Sequence, residues 1–147
     1  MAAKFASGLY TIRNTTKYVG KGLPRYRSSW EWAFMNFCDT NENIMQWASE
    51  PVRIPYRHPL TGKMTTYVPD FIVTYRGPNN TLRGELIEIK PKSQAVLENV
   101  GKNKLNQAQY VRNMAKWQAA QVYCKRMGLR FRVINETDIF HNGKRSK

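Results

Sequence analysis

The sequence predicts an α/β fold in which a mixed central β-sheet is flanked by helices. Three features predict it: a helical segment near residue 30, a group of β-rich segments between residues 52 and 90, and a long helical stretch that a further strand follows. Short turns join antiparallel strands, whereas a helix that connects two strands usually joins parallel neighbours. The predicted sheet therefore contains both kinds of pairing.

The first helical segment is predicted at residues 28–48. Ser28 is a favourable N-cap residue, and apolar side chains follow it at helical spacing. A polar break at residues 39–41 divides the segment. Residues 44–48 are predicted as a second, short helical turn.

The middle of the chain predicts an antiparallel meander of three strands. Residues 52–57 alternate between apolar and polar side chains, as a half-buried strand does. A turn separates them from a second predicted strand at residues 64–75. After another turn, at residues 77–80, the third strand is predicted at residues 85–90.

The longest periodic stretch, residues 103–127, predicts a helix that ends at Gly128, a natural C-cap residue. Residues 129–134 follow as a fourth strand. The apolar face of the helix is predicted to consist of Leu105, Ala108, Val111, Ala115, Ala119 and Val122.

The length of 147 residues is that of one domain. We expect a basic N-terminal arm at residues 1–27, a folded domain at 28–140 and a basic tail at 141–147. No apolar run could cross a membrane, and the N-terminus lacks a secretory signal, so we expect a soluble, cytoplasmic protein. The two cysteines and two histidines lack the spacing of a zinc site.

The net charge of +14, from 24 basic and 10 acidic residues, predicts a polyanionic partner, most commonly nucleic acid. Residues 1–27 contain no acid, and tyrosines alternate with their cations. This segment is either a DNA-contacting arm or an extended lead-in whose tyrosines pack on the domain, and both can hold. The predicted phosphate contacts are Lys17, Lys21, Arg25, Arg27 and Lys92.

A group of charged residues is predicted at the end of the apolar hairpin. Glu88 and Lys90 are two apart and project from one face of their strand, whereas Ile87 and Ile89 project from the other. Asp70 lies on the neighbouring strand, within reach of the first face. Two carboxylates beside an amine are costly to place there without a function.

Phosphodiester hydrolysis would supply that function. Asp70 and Glu88 offer hard oxygen ligands to a divalent ion, and the carbonyl of Ile89 could add a third. Mg²⁺ suits such a site because it retains several waters, and Mn²⁺ is expected to substitute for it. Lys90 would orient the attacking water and offset negative charge. The alternative is a surface ion pair on a solvated strand.

Glu31 is open to two interpretations. It could complete the metal ligands, if the first helix packs across the edge of the sheet. It could instead form a capping box by bonding back to the backbone N–H of Ser28. The local pattern by itself favours the cap.

The pattern Tyr67-x-Pro69-Asp70-Phe71, followed by Glu88-Ile89-Lys90, resembles the PD-(D/E)XK nuclease superfamily. Together with Glu31 on an upstream helix, it is similar to the TnsA-type endonucleases. The resemblance implies a restriction-endonuclease-like core and catalytic roles for Glu31, Asp70, Glu88 and Lys90, so it reverses the preference for the cap. Superfamily members often carry a helper on the following helix, which here would be Gln118.

The chain also resembles the head completion nucleases of T-even-like tailed phages. That likeness implies a metal-dependent endonuclease that cuts or trims packaged double-stranded DNA late in head maturation. Phage head or neck proteins would then be partners, and the protein would be found in the host cytoplasm during assembly or on the virion. The alternative is a non-catalytic structural protein that binds DNA ends at the head–neck junction. The sequence leaves open whether it is a monomer or a homodimer.

Overall fold

Two helices cover opposite faces of a four-stranded sheet in the computed structural model of the chain, which describes residues 7–90 and 104–135. The described elements, in chain order, are β1 (Gly8–Leu9), β2 (Arg25–Tyr26), α1 (Ser29–Thr40), β3 (Ile44–Ser49), β4 (Ile54–Arg57), β5 (Met64–Tyr67), β6 (Phe71–Arg76), a 3-10 turn (Pro78–Asn80), β7 (Leu82–Ile89), α2 (Lys104–Met127) and β8 (Arg130–Ile134).

The main sheet has the strand order β3-β6-β7-β8. β6 is antiparallel to both β3 and β7, whereas β8 is parallel to β7. Helix α2 lies between the two parallel strands in the chain, as a crossover helix does. The predicted mixed sheet with flanking helices is therefore confirmed, including the parallel pairing of the last strand.

The predicted helical turn at residues 44–48 is wrong, because this segment is strand β3. Ile44, Trp47 and Ala48 are buried, and the strand pairs along the length of β6. A short apolar run with buried side chains on both faces fits the spacing of a helix and of a strand equally well. The tertiary pairing decides between them.

The predicted three-strand meander is also wrong. β4 and β5 form a separate two-stranded sheet, and β6 begins a new strand in the main sheet. Pro69 lies between β5 and β6 and has no N–H to donate to a neighbouring strand. The chain therefore changes sheets at this proline.

A separate apolar core fills each side of the sheet. Helix α1 packs with β3 and β6 on one side, where the largest fully buried side chains are Trp47, Phe71 and Met35. Helix α2 and the β4–β5 hairpin cover the other side through Trp117, Tyr67 and their neighbours.

The predicted apolar face of α2 does not match its buried face. Ala115 and Ala119 of the predicted face pack against the core, but Leu105, Val111 and Val122 are exposed. The fully buried residues of the helix are Asn113, Trp117, Ala120 and Cys124. The helix carries apolar residues around most of its circumference, so periodicity alone did not select the side that packs on the sheet. Gly128 has a φ of +74°, and its position after the helix confirms the predicted end.

The N-terminal segment, described from residue 7, packs against the domain. Tyr10 is buried, and Tyr18 lies edge-on to Trp47 with 4.7 Å between ring centroids. The buried carboxylate of Asp39 accepts hydrogen bonds from the Tyr10 hydroxyl and from the backbone N–H groups of Arg13 and Asn14, at 2.8–2.9 Å. These hydrogen bonds outweigh the effect of burial and lower the pKa of Asp39.

Part of the predicted organisation lies outside the described residues. This applies to the basic tail at 141–147, to residues 136–140 of the predicted domain and to Lys92. Within the described residues, neither helix has the length and apolar character needed to span a membrane.

Candidate active site

The predicted catalytic residues lie at one end of the main sheet. β6 begins there, directly after Asp70, and β7 ends there between Glu88 and Lys90. Helix α1 begins near the same end, so that the charge of Glu31 acts on both Asp70 and Glu88. The structure therefore brings the four predicted side chains into one electrostatic group.

Asp70 is held by the backbone of the neighbouring strand. Its Oδ2 accepts a hydrogen bond of 2.8 Å from the N–H of Ile89. Burial and the negative charge of Glu88 raise the pKa of Asp70 well above its usual range, although the hydrogen bond from Ile89 opposes the shift. The carboxylate thus lies among groups that do not fully compensate its charge.

Glu88 is only 5% exposed, and it contacts one hydroxyl and one amine. The hydroxyl of Tyr67 donates to Oε1 at 2.7 Å, and the Lys90 Nζ lies 3.7 Å from Oε2. Burial raises the pKa of Glu88 despite Tyr67, Lys90 and the more distant Lys116. The sequence motif contained Tyr67, but its partner could not be predicted, because the two residues belong to different sheets.

Glu31 makes a capping contact and also belongs to the charged group. The Oγ of Ser28 accepts from the Glu31 N–H at 3.1 Å, which confirms Ser28 as the N-cap. The side chain of Glu31 accepts from the N–H of Arg27 at 3.0 Å, one residue before the predicted donor. Burial raises the pKa of Glu31, and the charges of Arg27 and Lys90 oppose the shift.

Helix α2 directs Lys116 toward this group. Its Nζ lies 5.5 Å from the centre of the Tyr67 ring, and its charge acts on Asp70 and Glu88. Burial and the neighbouring cations lower the pKa of Lys116. The predicted helper, Gln118, is exposed two residues further along the helix.

The predicted phosphate contacts have different surroundings. The Nζ of Lys17 donates to the carbonyls of Asp39 and Asn41, at 3.2 and 2.7 Å, where it caps the C-terminal end of α1. Lys21 and Arg25 are exposed.

Arg27 is also exposed, and its guanidinium donates to Oε2 of Glu50 at 2.6 Å. No sequence pattern predicted this pair, because the two residues are 23 positions apart. It is the second contact at the site, after that of Tyr67, that sequence reasoning missed.

The residues present fit a hard divalent cation. Asp70 and Glu88 are carboxylates whose charged forms are disfavoured mainly by burial, and a bound cation would offset that negative charge. Within residues 7–90 and 104–135, however, no three acidic, histidine or cysteine side chains stand together as ligands of one ion. The ligand set of Glu31, Asp70, Glu88 and the Ile89 carbonyl remains a prediction.

The arrangement suits the hydrolysis of an anionic ester. The carboxylates can bind a cation and accept a proton, while Lys90 and Lys116 place positive charge beside them. The exposed cations of the N-terminal segment add to the attraction for a polyanion.

Two comparisons show which known proteins the sequence is similar to. Residues 41–136 match the family model for the TnsA-like endonuclease N terminal domain. The chain is also 32% identical, over 142 residues, to the head completion nuclease of Enterobacteria phage T4. That alignment covers 88% of this chain and 91% of the phage T4 protein.

Proposed function

Because the chain belongs to the TnsA-like endonuclease N-terminal family, we propose that it is a metal-dependent endonuclease that cuts phage DNA during late head maturation. One observation carries the proposal: Asp70, Glu88 and Lys90 lie together at one end of the sheet. The Lys90 Nζ is 3.7 Å from Glu88, and the Asp70 carboxylate accepts from the N–H of Ile89, which lies between Glu88 and Lys90. Glu31 lies in the first turn of α1, which begins near the same end. The phage T4 relative, a head completion nuclease, supports a nuclease role in head completion.

The side chains divide the chemistry among them. Asp70 and Glu88 would hold Mg²⁺, for which Mn²⁺ could substitute, and the bound ion would polarise the phosphate and lower the pKa of a water. The amine of Lys90, 3.7 Å from Glu88, would orient the attacking water and offset the charge of the phosphate. Tyr67 fixes the orientation of Glu88 by donating to Oε1.

The substrate we propose is double-stranded DNA, bound mainly through its phosphates. The net charge of +14 and the exposed Lys21 and Arg25 supply the attraction. These same features support a second candidate, a non-catalytic protein that binds DNA ends together with phage head or neck proteins. The two candidates differ only in whether Asp70, Glu88 and Lys90 carry out chemistry.

Cutting assays with linear and circular duplex DNA separate the two. We expect cutting in Mg²⁺, its loss in EDTA, and a rate about 10²–10³-fold lower for Lys90→Ala, because that variant lacks an electrostatic stabiliser of the transition state. In EDTA, the affinity for DNA should fall steeply with salt concentration for the wild type and for Lys90→Ala. DNA binding without cutting would favour the structural protein. Cutting that persists in EDTA and in Lys90→Ala would end the proposed mechanism.

The role of Tyr67, on β5, can be isolated with a matched control on β6. Tyr75 donates to buried Glu85 at 2.7 Å, just as Tyr67 donates to Glu88, but away from the site. We expect Tyr67→Phe to cut DNA about 10–100-fold more slowly, because losing a hydrogen bond that orients a metal ligand has an effect of that size. Tyr75→Phe should lower the thermal stability but leave the cutting rate unchanged.

The measurements are single-turnover cutting rates and thermal unfolding of both variants. Equal rates for Tyr67→Phe and Tyr75→Phe would show that the Tyr67 hydroxyl only stabilises the fold.

A further inference from the structure

A continuous series of contacts joins the segments that carry the proposed catalytic acids. The backbone N–H of Arg27 donates to Glu31 at 3.0 Å, and its guanidinium lies 2.6 Å from Glu50. The backbone N–H of Glu50 donates to the carbonyl of Asp70 at 2.8 Å, and the Asp70 carboxylate accepts from Ile89. The Arg27–Glu50 pair is thus a charged link between the start of α1 and the start of β6, beside the apolar contact of Phe34 with Phe71.

The backbone of Glu50 adopts a conformation that its side chain disfavours. Its φ is +47°, in the left-handed region where residues other than glycine are uncommon. Glycine would adopt this conformation freely, yet the residue is a glutamate whose carboxylate contacts Arg27. Strained residues of this kind concentrate at functional sites.

The Arg27–Glu50 pair adds little to the stability of the fold. The side chains are 58% and 48% exposed, and an ion pair with that exposure contributes little to the free energy of unfolding, because solvent screens it. The charges of both side chains act on the pKa of Glu31, which Arg27 lowers and Glu50 raises. Both side chains therefore lie close enough to Glu31 for their charges to act on it.

We propose that Arg27 and Glu50 are positioning residues, a clamp that holds Glu31 on α1 in place relative to Asp70 on β6. The clamp rests on the proposed nuclease function and assigns Arg27 a role other than binding a phosphate. Without the ion pair, the start of α1 loses its side-chain link to the Asp70 segment, and Glu31 samples positions that do not support the reaction.

Glu50→Gly best separates activity from stability, because it removes the carboxylate and relieves the backbone strain at the same time. We expect kcat for DNA cutting to fall about 10-fold. The midpoint of thermal unfolding should stay the same or rise, because glycine accepts a positive φ. The dissociation constant for DNA in EDTA should stay the same or fall, because a negative charge is lost.

Three further variants complete the test. Arg27→Ala should lower kcat to a similar extent, and the charge reversal Arg27→Glu/Glu50→Arg should recover most of that loss. Arg57→Ala is the matched control, since Arg57 is also an exposed arginine but bonds to the carbonyl of Gly62 in the hairpin turn. Its kcat should equal that of the wild type.

The outcomes are separable. If the wild-type protein does not cut DNA, the proposed function fails before the clamp is tested. If the wild type cuts and Glu50→Gly cuts equally fast, the clamp is overturned. Weaker DNA binding by Arg27→Ala, with an unchanged kcat and no rescue by charge reversal, would overturn it too and assign Arg27 to phosphate binding.

Discussion

Asp70→Asn is expected to abolish cutting while leaving the protein folded. The change removes a proposed ligand charge, and metal ions supply several kcal/mol of transition-state stabilisation, so the rate should fall about 10³-fold. The asparagine oxygen can still accept from the Ile89 N–H. Because burial already disfavours the charged form of Asp70, we expect the free energy of unfolding to stay constant or increase.

Asp39→Asn is the matched control for that variant. Asp39 is also buried, but the hydrogen bonds it accepts lower its pKa and favour its charge. This variant should lose about 1–3 kcal/mol of stability, and its folded fraction should cut at the wild-type rate. Denaturant unfolding and single-turnover cutting measure both quantities. Comparable activity of Asp70→Asn and the wild type would remove Asp70 from the mechanism.

Deletion of residues 1–27 is expected to prevent folding rather than only weaken DNA binding. Loss of the buried Tyr10 ring costs about 3–5 kcal/mol. The Asp39 carboxylate loses the three donors of this segment, which costs about 1–3 kcal/mol more. Together these losses approach the whole stability of a typical domain, about 5–15 kcal/mol.

The truncated protein should therefore show no cooperative thermal transition. Lys21→Ala/Arg25→Ala serves as its control, because both side chains are exposed. The double variant should unfold like the wild type and bind DNA with a smaller dependence on salt. A truncated protein that folds cooperatively and only binds DNA more weakly would show that the segment is an independent arm.

The elements that sequence reasoning predicted correctly are those with local signals. Ser28 caps α1, Gly128 follows α2, and the crossover helix leads to a parallel β8. The elements that were predicted wrongly are those whose structure depends on tertiary contacts. The apolar run at Ile44–Ser49 is a strand because it pairs with β6. The chain changes sheets between β5 and β6, where Pro69 lies.

The candidate site was predictable where its residues share an element. Glu88 and Lys90 lie two positions apart, and the motif around Asp70 identified this residue as the acid on the neighbouring strand. The contacts of Tyr67 with Glu88 and of Arg27 with Glu50 were not predictable, because each joins segments more than 20 positions apart. Sequence spacing reports such pairs only after the topology is known.

The pairing of β8 with β7 implies an order of events during synthesis. The backbone N–H of Lys90 donates to the carbonyl of Ile134 at 2.9 Å, so the strand end that carries the proposed catalytic amine is held by β8, which follows α2 in the chain. A chain still emerging from the ribosome lacks that bond and the support of α2. We therefore expect the hairpin of β6 and β7 to form early, and the ability to cut to arise only after β8 has paired with β7.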